Sequence, residues 1–303
     1  MDLTAYRAIE ANRWRSRFLA GLNAAIIAFL FALAVWTLGP DAVRPVSSLI
    51  IVFGSLMFGG RELVLQLLGA RELVPGEEKE FFRRLDMISI ALGLRSLPAV
   101  HLVVSPSANA LGIERVGQAG TLVVTNRLLD LDADEIDAVL AHELFHLASA
   151  HVGLRTVMAL VRGLIMALAS TRTRWHWIAM AAVLLLAVIA LGPAPLVFML
   201  FVAVYLIAEA GISRQREYLA DAQAVLVTRH PEALIHALRR MGSADRLGES
   251  LLPRATRLTA DGERLAASLW TVRPRSVAES WVTRLFDAHP SSEDRIRRLE
   301  RMS

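Results

Sequence analysis

Apolar positions along this chain follow several rhythms, and each predicts a different kind of element. Residues 18–39 form an apolar segment of membrane-crossing length, and residues 46–60, extended into 61–69, form a second, less clean one. A third run, 175–212, is broken at Gly192-Pro193-Ala194-Pro195 and reads as a helical hairpin turning at the Pro-Ala-Pro step, with a short first arm that requires tilt or local thinning of a bilayer. A helical period governs 77–93, predicting an amphipathic helix. It returns at Ile136, Val139, Leu140, Leu144 and Leu147, behind Asp132 and Glu135 at capping-box spacing. Short β-rich runs at Val100–Val104 and Thr121–Thr125 predict strands ahead of that helix. Residues 156–170 are apolar too, but Arg162 lies at their middle and they reach only about three-quarters of a span, so they are expected to approach a membrane without crossing it. Residues 244–276 are polar, arginine-rich and weakly periodic, fitting either a lid that selects substrates or a plain surface connection.

Composition agrees with the long runs. Hydrophobic residues make up 54% of the chain and charged ones 20%, with a mean hydropathy of +0.45, which is apolar for a soluble protein. The net charge of +4 and pI near 10.2 raise the possibility of nucleic acid. Lys79 is the sole lysine, however, the arginines cluster at the borders of apolar runs, and no basic run carries interleaved aromatics. Attraction to a membrane surface is the expectation, with no nucleic-acid partner. Arg7, Arg13, Arg15 and Arg17 precede the first run, Arg61 and Arg71 follow the second, Arg172 and Arg174 precede the hairpin, and Arg214 and Arg216 follow it. The intervening turns carry only Arg44, so both termini and the polar domain are expected on the cytoplasmic side. The absence of cysteine excludes disulfides, a thiolate metal site and a cysteine nucleophile.

The candidate chemistry lies in His142-Glu143-Leu144-Phe145-His146. At 3.6 residues per turn, His142 and His146 leave one helix face about 40° apart, so both imidazoles can reach one metal ion. Glu143 stands beside them, as a carboxylate must if it is to take a proton from a water activated by that metal. The competing reading is a helix that carries these residues by chance. A third ligand must come from elsewhere. His151 is turned away by its spacing from both histidines. Glu217 and Asp221 share a helix face, where one could bind zinc while the other accepts a hydrogen bond from a ligand histidine. Equally, with Arg214 and Arg216, they could form ion pairs on a solvated helix. His101 reads as a packed strand residue; His176, His230 and His236 receive no chemistry.

The segments HELFH, then SRQREYLAD (Ser213–Asp221), then DAHPSSEDRIRRLERM (Asp287–Met302) resemble, in order and character, the integral-membrane zinc metalloproteases that include the HtpX heat-shock proteases and the CAAX prenyl endopeptidases. The likeness covers most of 77–226 and resumes from about 283, with LLDLDADEIDAVLAHELFHLASAHV especially close. The resemblance implies that His142, His146 and Glu217 hold one Zn2+ per chain, and that Glu143 is general base and acid. It implies that Asp221 supports a ligand histidine, that His289 faces the reacting carbonyl, and that Arg295 is a supporting charge. Asn109-Ala110-Leu111-Gly112 stands where the family often has Asn-Ala-Phe, implicating Asn109 and Ala110 in substrate binding. Departures are Phe145 in place of a frequent glycine and Ser291-Ser292 where a second proline is common. Because zinc proteases often bind peptide on an edge strand, Thr121–Thr125, centred on Val123, is the candidate strand; an ordinary core strand is the alternative.

The expectation is therefore a membrane α+β protein with about four transmembrane helices and a cytoplasmic zincin-like, mainly helical protease domain. Its predicted divisions are an N-terminal helix pair in 1–70, the first part of the protease domain in 71–174, a transmembrane hairpin (or re-entrant one) in 175–212, and the remainder of the domain in 213–303. The predicted setting is the inner (plasma) membrane, with the lipid bilayer as one partner and proteins, chiefly damaged or misassembled membrane proteins, as substrates. The alternatives are a prenyl-protein processing endopeptidase and a non-catalytic metal-containing protein that binds membrane clients.

Overall fold

The computed structural model describes residues 59–113, 120–148, 194–248, 271 and 289–302, with isolated helical positions at 55, 178, 181, 182, 185, 186, 188 and 189. By contact the chain divides into one unit of Met1–Ser55 and Trp177–Phe201 and another of Leu56–His176 and Val202–Ser303. The expected spans at 18–39, 46–60 and 175–191, and the segment 156–170, lie largely or wholly outside the described residues. Among the described residues no helix is long and apolar enough to cross a membrane.

The second unit is built on a four-stranded sheet. Its strands are β1 (Arg71–Glu72), β2 (Ala99–Val103), β3 (Ala110–Ile113) and β4 (Thr121–Thr125), in the spatial order β1-β2-β4-β3. β2 and β4 run parallel, while β1 and β3 pair antiparallel at the two edges. This order overturns the expectation that Thr121–Thr125 is an edge strand. Val123 lies opposite His101 on one side and Leu111 on the other, so strand partners flank it and leave no open edge for a peptide. The edge beside β4 is β3, a strand whose four residues give too short a β-signal to stand out in the sequence.

Alternation along the strands divides the core into two layers. Val100, Leu102, Ala110, Leu122 and Val124 face the main cluster, while Val103, Leu111, Ile113 and Val123 face the other side. Residues 59–68 are helical and place Val64 and Leu68 on that second face, so the stretch read as an extension of a membrane span is packing on a sheet. A sheet buried on both faces loses the polar alternation of a half-exposed one, which is why β4 reads as a plain apolar run.

The main cluster takes its other half from helices. These are α1 (Lys79–Ala91), α2 (Ala133–Ala148), α3 (Ala194–Thr228), α4 (Pro231–Gly248) and α5 (Ser292–Leu299). α1 buries Phe81, Leu85 and Ile88 and is tied to α2 by Arg84 and Asp137 at 2.8 Å. The expected stripe on α2 is buried in full, Ile136, Val139, Leu140, Leu144 and Leu147 all belonging to the cluster. At its start the Asp132 N–H donates to Glu135 Oε2 (3.1 Å), the reciprocal half of a capping box, and Arg240 of α4 donates to the same oxygen at 2.8 Å. α3 is continuous in backbone from the expected fourth span into the stretch carrying Glu217. Arg229, with φ of 59°, turns the chain from α3 into α4. Ser291 caps α5 by accepting from the Asp294 N–H at 3.1 Å. The serine found in place of the family's proline therefore has a local role.

Candidate active site

Two helices bring the candidate ligands together. His142 and His146, one turn apart on α2, meet Glu217 from α3, and all three are buried. His146 Nε2 lies 3.3 Å from His142 Nε2 and 3.3 Å from Glu217 Oε1, and His142 Nε2 lies 3.4 Å from Glu217 Oε2. Donors held at about 2.0–2.1 Å by a tetrahedral ion stand about 3.3–3.4 Å apart, so the 3.3 Å between the two ring nitrogens, with one Glu217 oxygen beside each, suits a single ion such as zinc. The imidazoles meet edge to face, with ring centroids 4.9 Å apart, and the Phe145 ring lies 6.3 Å from that of His146.

The surrounding groups fix tautomer and charge. His142 Nδ1 is 2.9 Å from Asp221 Oδ1, so a hydrogen belongs there and Nε2 is the nitrogen that faces His146 and Glu217. Asp221 is in turn gripped by Arg295, whose Nε and Nη2 donate at 2.9 and 2.6 Å in a bidentate pair. Arg295 is 1% exposed. Against this single guanidinium stand the buried carboxylates of Glu143, Glu217 and Asp221. Ionised, these carboxylates outnumber the guanidinium, a surplus of negative charge that a protonated His142 offsets in part and that a divalent cation would offset once bound.

These charges move the titrations. Burial and Arg295 depress the His142 pKa, but hydrogen bonds to Asp221 and Glu217, with the charge of Asp221, outweigh them and bring it to about 9. Burial would raise Glu217, yet the surrounding His289, His146 and His142 hold its carboxyl well below the ordinary range. Asp221 is lowered in the same sense, burial being overcome by Arg295 and His142.

Glu143 follows His142 on the same helix and is fully buried, its Oε1 3.9 Å from His142 Nε2, beside the ligand atoms and not among them. His289 arrives from the segment before α5, with Nδ1 3.2 Å from Glu217 Oε2. The sequence-selected residues His142, Glu143, His146, Glu217, Asp221, His289 and Arg295 thus converge on one place. Asn109 and Ala110 lie at the start of the edge strand. The Ala110 N–H donates to Asn109 Oδ1 (3.0 Å), and the Asn109 N–H to Thr125 Oγ1 (2.8 Å). Val123 is separated from that edge by β3. His101 is buried in β2, where burial first and Arg61 second lower its pKa. His151 and His176 lie outside the described residues.

Thr271 is a site residue that sequence reasoning missed. It lies in the weakly periodic stretch, is 1% exposed, and places its hydroxyl 2.6 Å from Glu143 Oε1. Nothing local distinguishes it, since every partner is distant in sequence.

A model of the peptidase family M48 matches residues 77–303, which take in β2, β3, β4 and the site. The chain belongs to peptidase family M48. Among its curated relatives are protease HtpX homologues of Dictyoglomus thermophilum, 32% identical over 99% of this chain and 95% of the relative, and of Dictyoglomus turgidum, 30% identical with the same coverage. A homologue from Lactobacillus helveticus is 27% identical over 86% of this chain and 88% of its own length. The crystal structure of S. mikatae Ste24p aligns with 99% of this chain and 67% of that one at 16% identity and a TM-score of 0.47. As an HtpX-like member of M48, the chain is a metalloprotease, and the His142, His146 and Glu217 group could hold the metal that such an enzyme needs.

Proposed function

We propose that this metalloprotease is a zinc-dependent membrane endopeptidase that cuts damaged or misassembled membrane proteins at the cytoplasmic face of the inner membrane. The observation that carries the chemical part is the pair of His142 and His146 Nε2 atoms 3.3 Å apart, each with a Glu217 oxygen at 3.3–3.4 Å, and the Glu143 carboxylate beside them. Zinc bound there supplies Lewis acidity and lowers the pKa of a water to about 7. Glu143 takes a proton from the attacking water and delivers it to the leaving amine as the carbon–nitrogen bond breaks. His289 donates a hydrogen bond to the carbonyl oxygen as that oxygen gains charge. Asp221 and Arg295 hold His142 in its ligating tautomer. The substrate strand lies along the outer side of β3, beyond the Ala110 carbonyl that Thr271 already engages, because β3 and not β4 forms the edge beside the site.

The membrane setting is supported by the apolar runs and the arginines that flank them, and by large apolar side chains exposed on described helical residues. Ile178, Leu185, Leu186 and Ile189 are each more than half exposed, as lipid-facing residues are. The four crossings, the cytoplasmic placement of both termini and the role in quality control belong to the same proposal.

The test is cleavage of an unfolded polypeptide and of a model membrane protein by the detergent-purified, zinc-loaded chain, alongside Glu143→Gln and a chelated control. Cleavage by the wild type, lost in both controls while Glu143→Gln keeps its zinc, supports the reading. Cleavage restricted to short isoprenylated peptides points to a processing enzyme. A folded, zinc-containing chain that cuts nothing points to client binding without catalysis.

A further inference from the structure

Thr271 is held at the candidate site by every polar group it has. Its N–H donates to the Ala110 carbonyl at 2.9 Å, on the side of β3 that faces away from β4. Its own carbonyl accepts from Arg295 Nη1 at 2.6 Å. Its hydroxyl lies 2.6 Å from Glu143 Oε1 and 2.8 Å from the Ala110 carbonyl. A hydroxyl carries one hydrogen, and the Ala110 oxygen is already served by the Thr271 amide, so that hydrogen belongs to the charged carboxylate.

These contacts join three parts that hydrolysis must keep in register: the edge strand at Ala110, the carboxylate of Glu143, and Arg295, which grips the Asp221 partner of His142. A buried glutamate on a helix retains freedom at its outer torsions unless something fixes its oxygens. Glu143 Oε2 is buried without a hydrogen-bond partner, facing Gly112, where a Cβ would lie 3.3 Å from it and 3.1 Å from Leu147 Cδ2. Thr271 fixes the other oxygen. We infer that Thr271 is a positioning residue of the peptidase site, its hydroxyl aiming the Glu143 carboxylate while its backbone ties that carboxylate to the substrate-bearing edge and to Arg295.

The inference rests on Glu143 being the base, and the experiment separates the two. Thr271→Val keeps the size and backbone contacts but removes the hydroxyl, leaving Glu143 Oε1 without its bond. In the full-length, zinc-loaded chain, kcat on an unfolded polypeptide falls about 10- to 100-fold, the cost of losing one hydrogen bond to a charged group, while KM and zinc content hold. Thr271→Ser keeps the hydroxyl and recovers most of kcat. Thr271→Ala, too small to clash, behaves as the valine does. Wild-type or raised kcat in Thr271→Val, or a serine variant as inactive as the valine, overturns the assignment and leaves Thr271 as filler or as an obstruction. Glu143→Gln is the reference. If it retains turnover, the reading of Glu143 as base fails. If it is inert while Thr271→Val turns over normally, only the role given to Thr271 fails.

Discussion

Asp221 Oδ1 lies 2.9 Å from His142 Nδ1 while the same carboxylate is clamped by Arg295, so the orientation of a candidate metal ligand on α2 is set from α3 and α5. Carboxylate partners of ligating histidines fix ring angle and basicity, and their removal typically weakens metal binding 10- to 100-fold. Asp221→Asn keeps the shape and loses the charge. Competition of the purified variant against a zinc chelator is expected to show a drop of about that size. Affinity equal to wild type would place the control of His142 elsewhere.

The raised pKa of His142 predicts proton release on metal binding. With a value of about 9, the free imidazole is largely protonated at neutral pH, whereas a ligating imidazole must be neutral. Affinity for zinc therefore climbs as pH rises toward 9 and levels off above it. Calorimetric titration at pH 7 in buffers of differing ionisation heat is expected to reveal release of close to one proton from this group; heats independent of the buffer would contradict the shift.

Gly120 and Gly112 border Leu147 at the end of α2. A Cβ at Gly120 would lie 2.6 Å from Leu147 Cδ2, closer than packed atoms approach, and 3.2 Å from the Ile113 carbonyl, a tight contact. Gly120→Ala should destabilise by about 1–3 kcal/mol, the usual cost of overpacking, and lower the unfolding midpoint. Gly112→Ala meets Glu143 Oε2 as well, and its main effect should be on kcat. A kcat unchanged in Gly112→Ala would mean that the carboxylate has room to shift.

Ser291 caps the short helix that delivers Arg295. Ser291→Ala removes the bond to the Asp294 N–H and should cost about 1 kcal/mol in denaturant unfolding. Ser291→Asp, another good cap, should restore most of it. Equal stability of all three proteins would show that α5 is held by Leu299 and Arg295 alone.

What the sequence revealed of this site follows the range of the interactions involved. The α2 stripe and the His142–His146 pair were legible because helical spacing is a local property. Glu217 and Asp221 were legible as a pair on one face, although two readings of that face stood open until the geometry placed them beside the histidines. Thr271 was illegible because its partners are remote: Glu143 is 128 residues away and Ala110 is 161. The strand at Thr121–Thr125 was found but misplaced in the sheet, since β-propensity marks a strand without naming its neighbours. β3, carrying the actual edge, was too short to announce itself.

The site draws on α2, α3, Thr271 and α5, stretches that meet only in the finished fold. Release of α5 would take Arg295 away from Asp221, the carboxylate that faces His142, so a candidate ligand on α2 depends for its support on a helix 153 residues further along the chain.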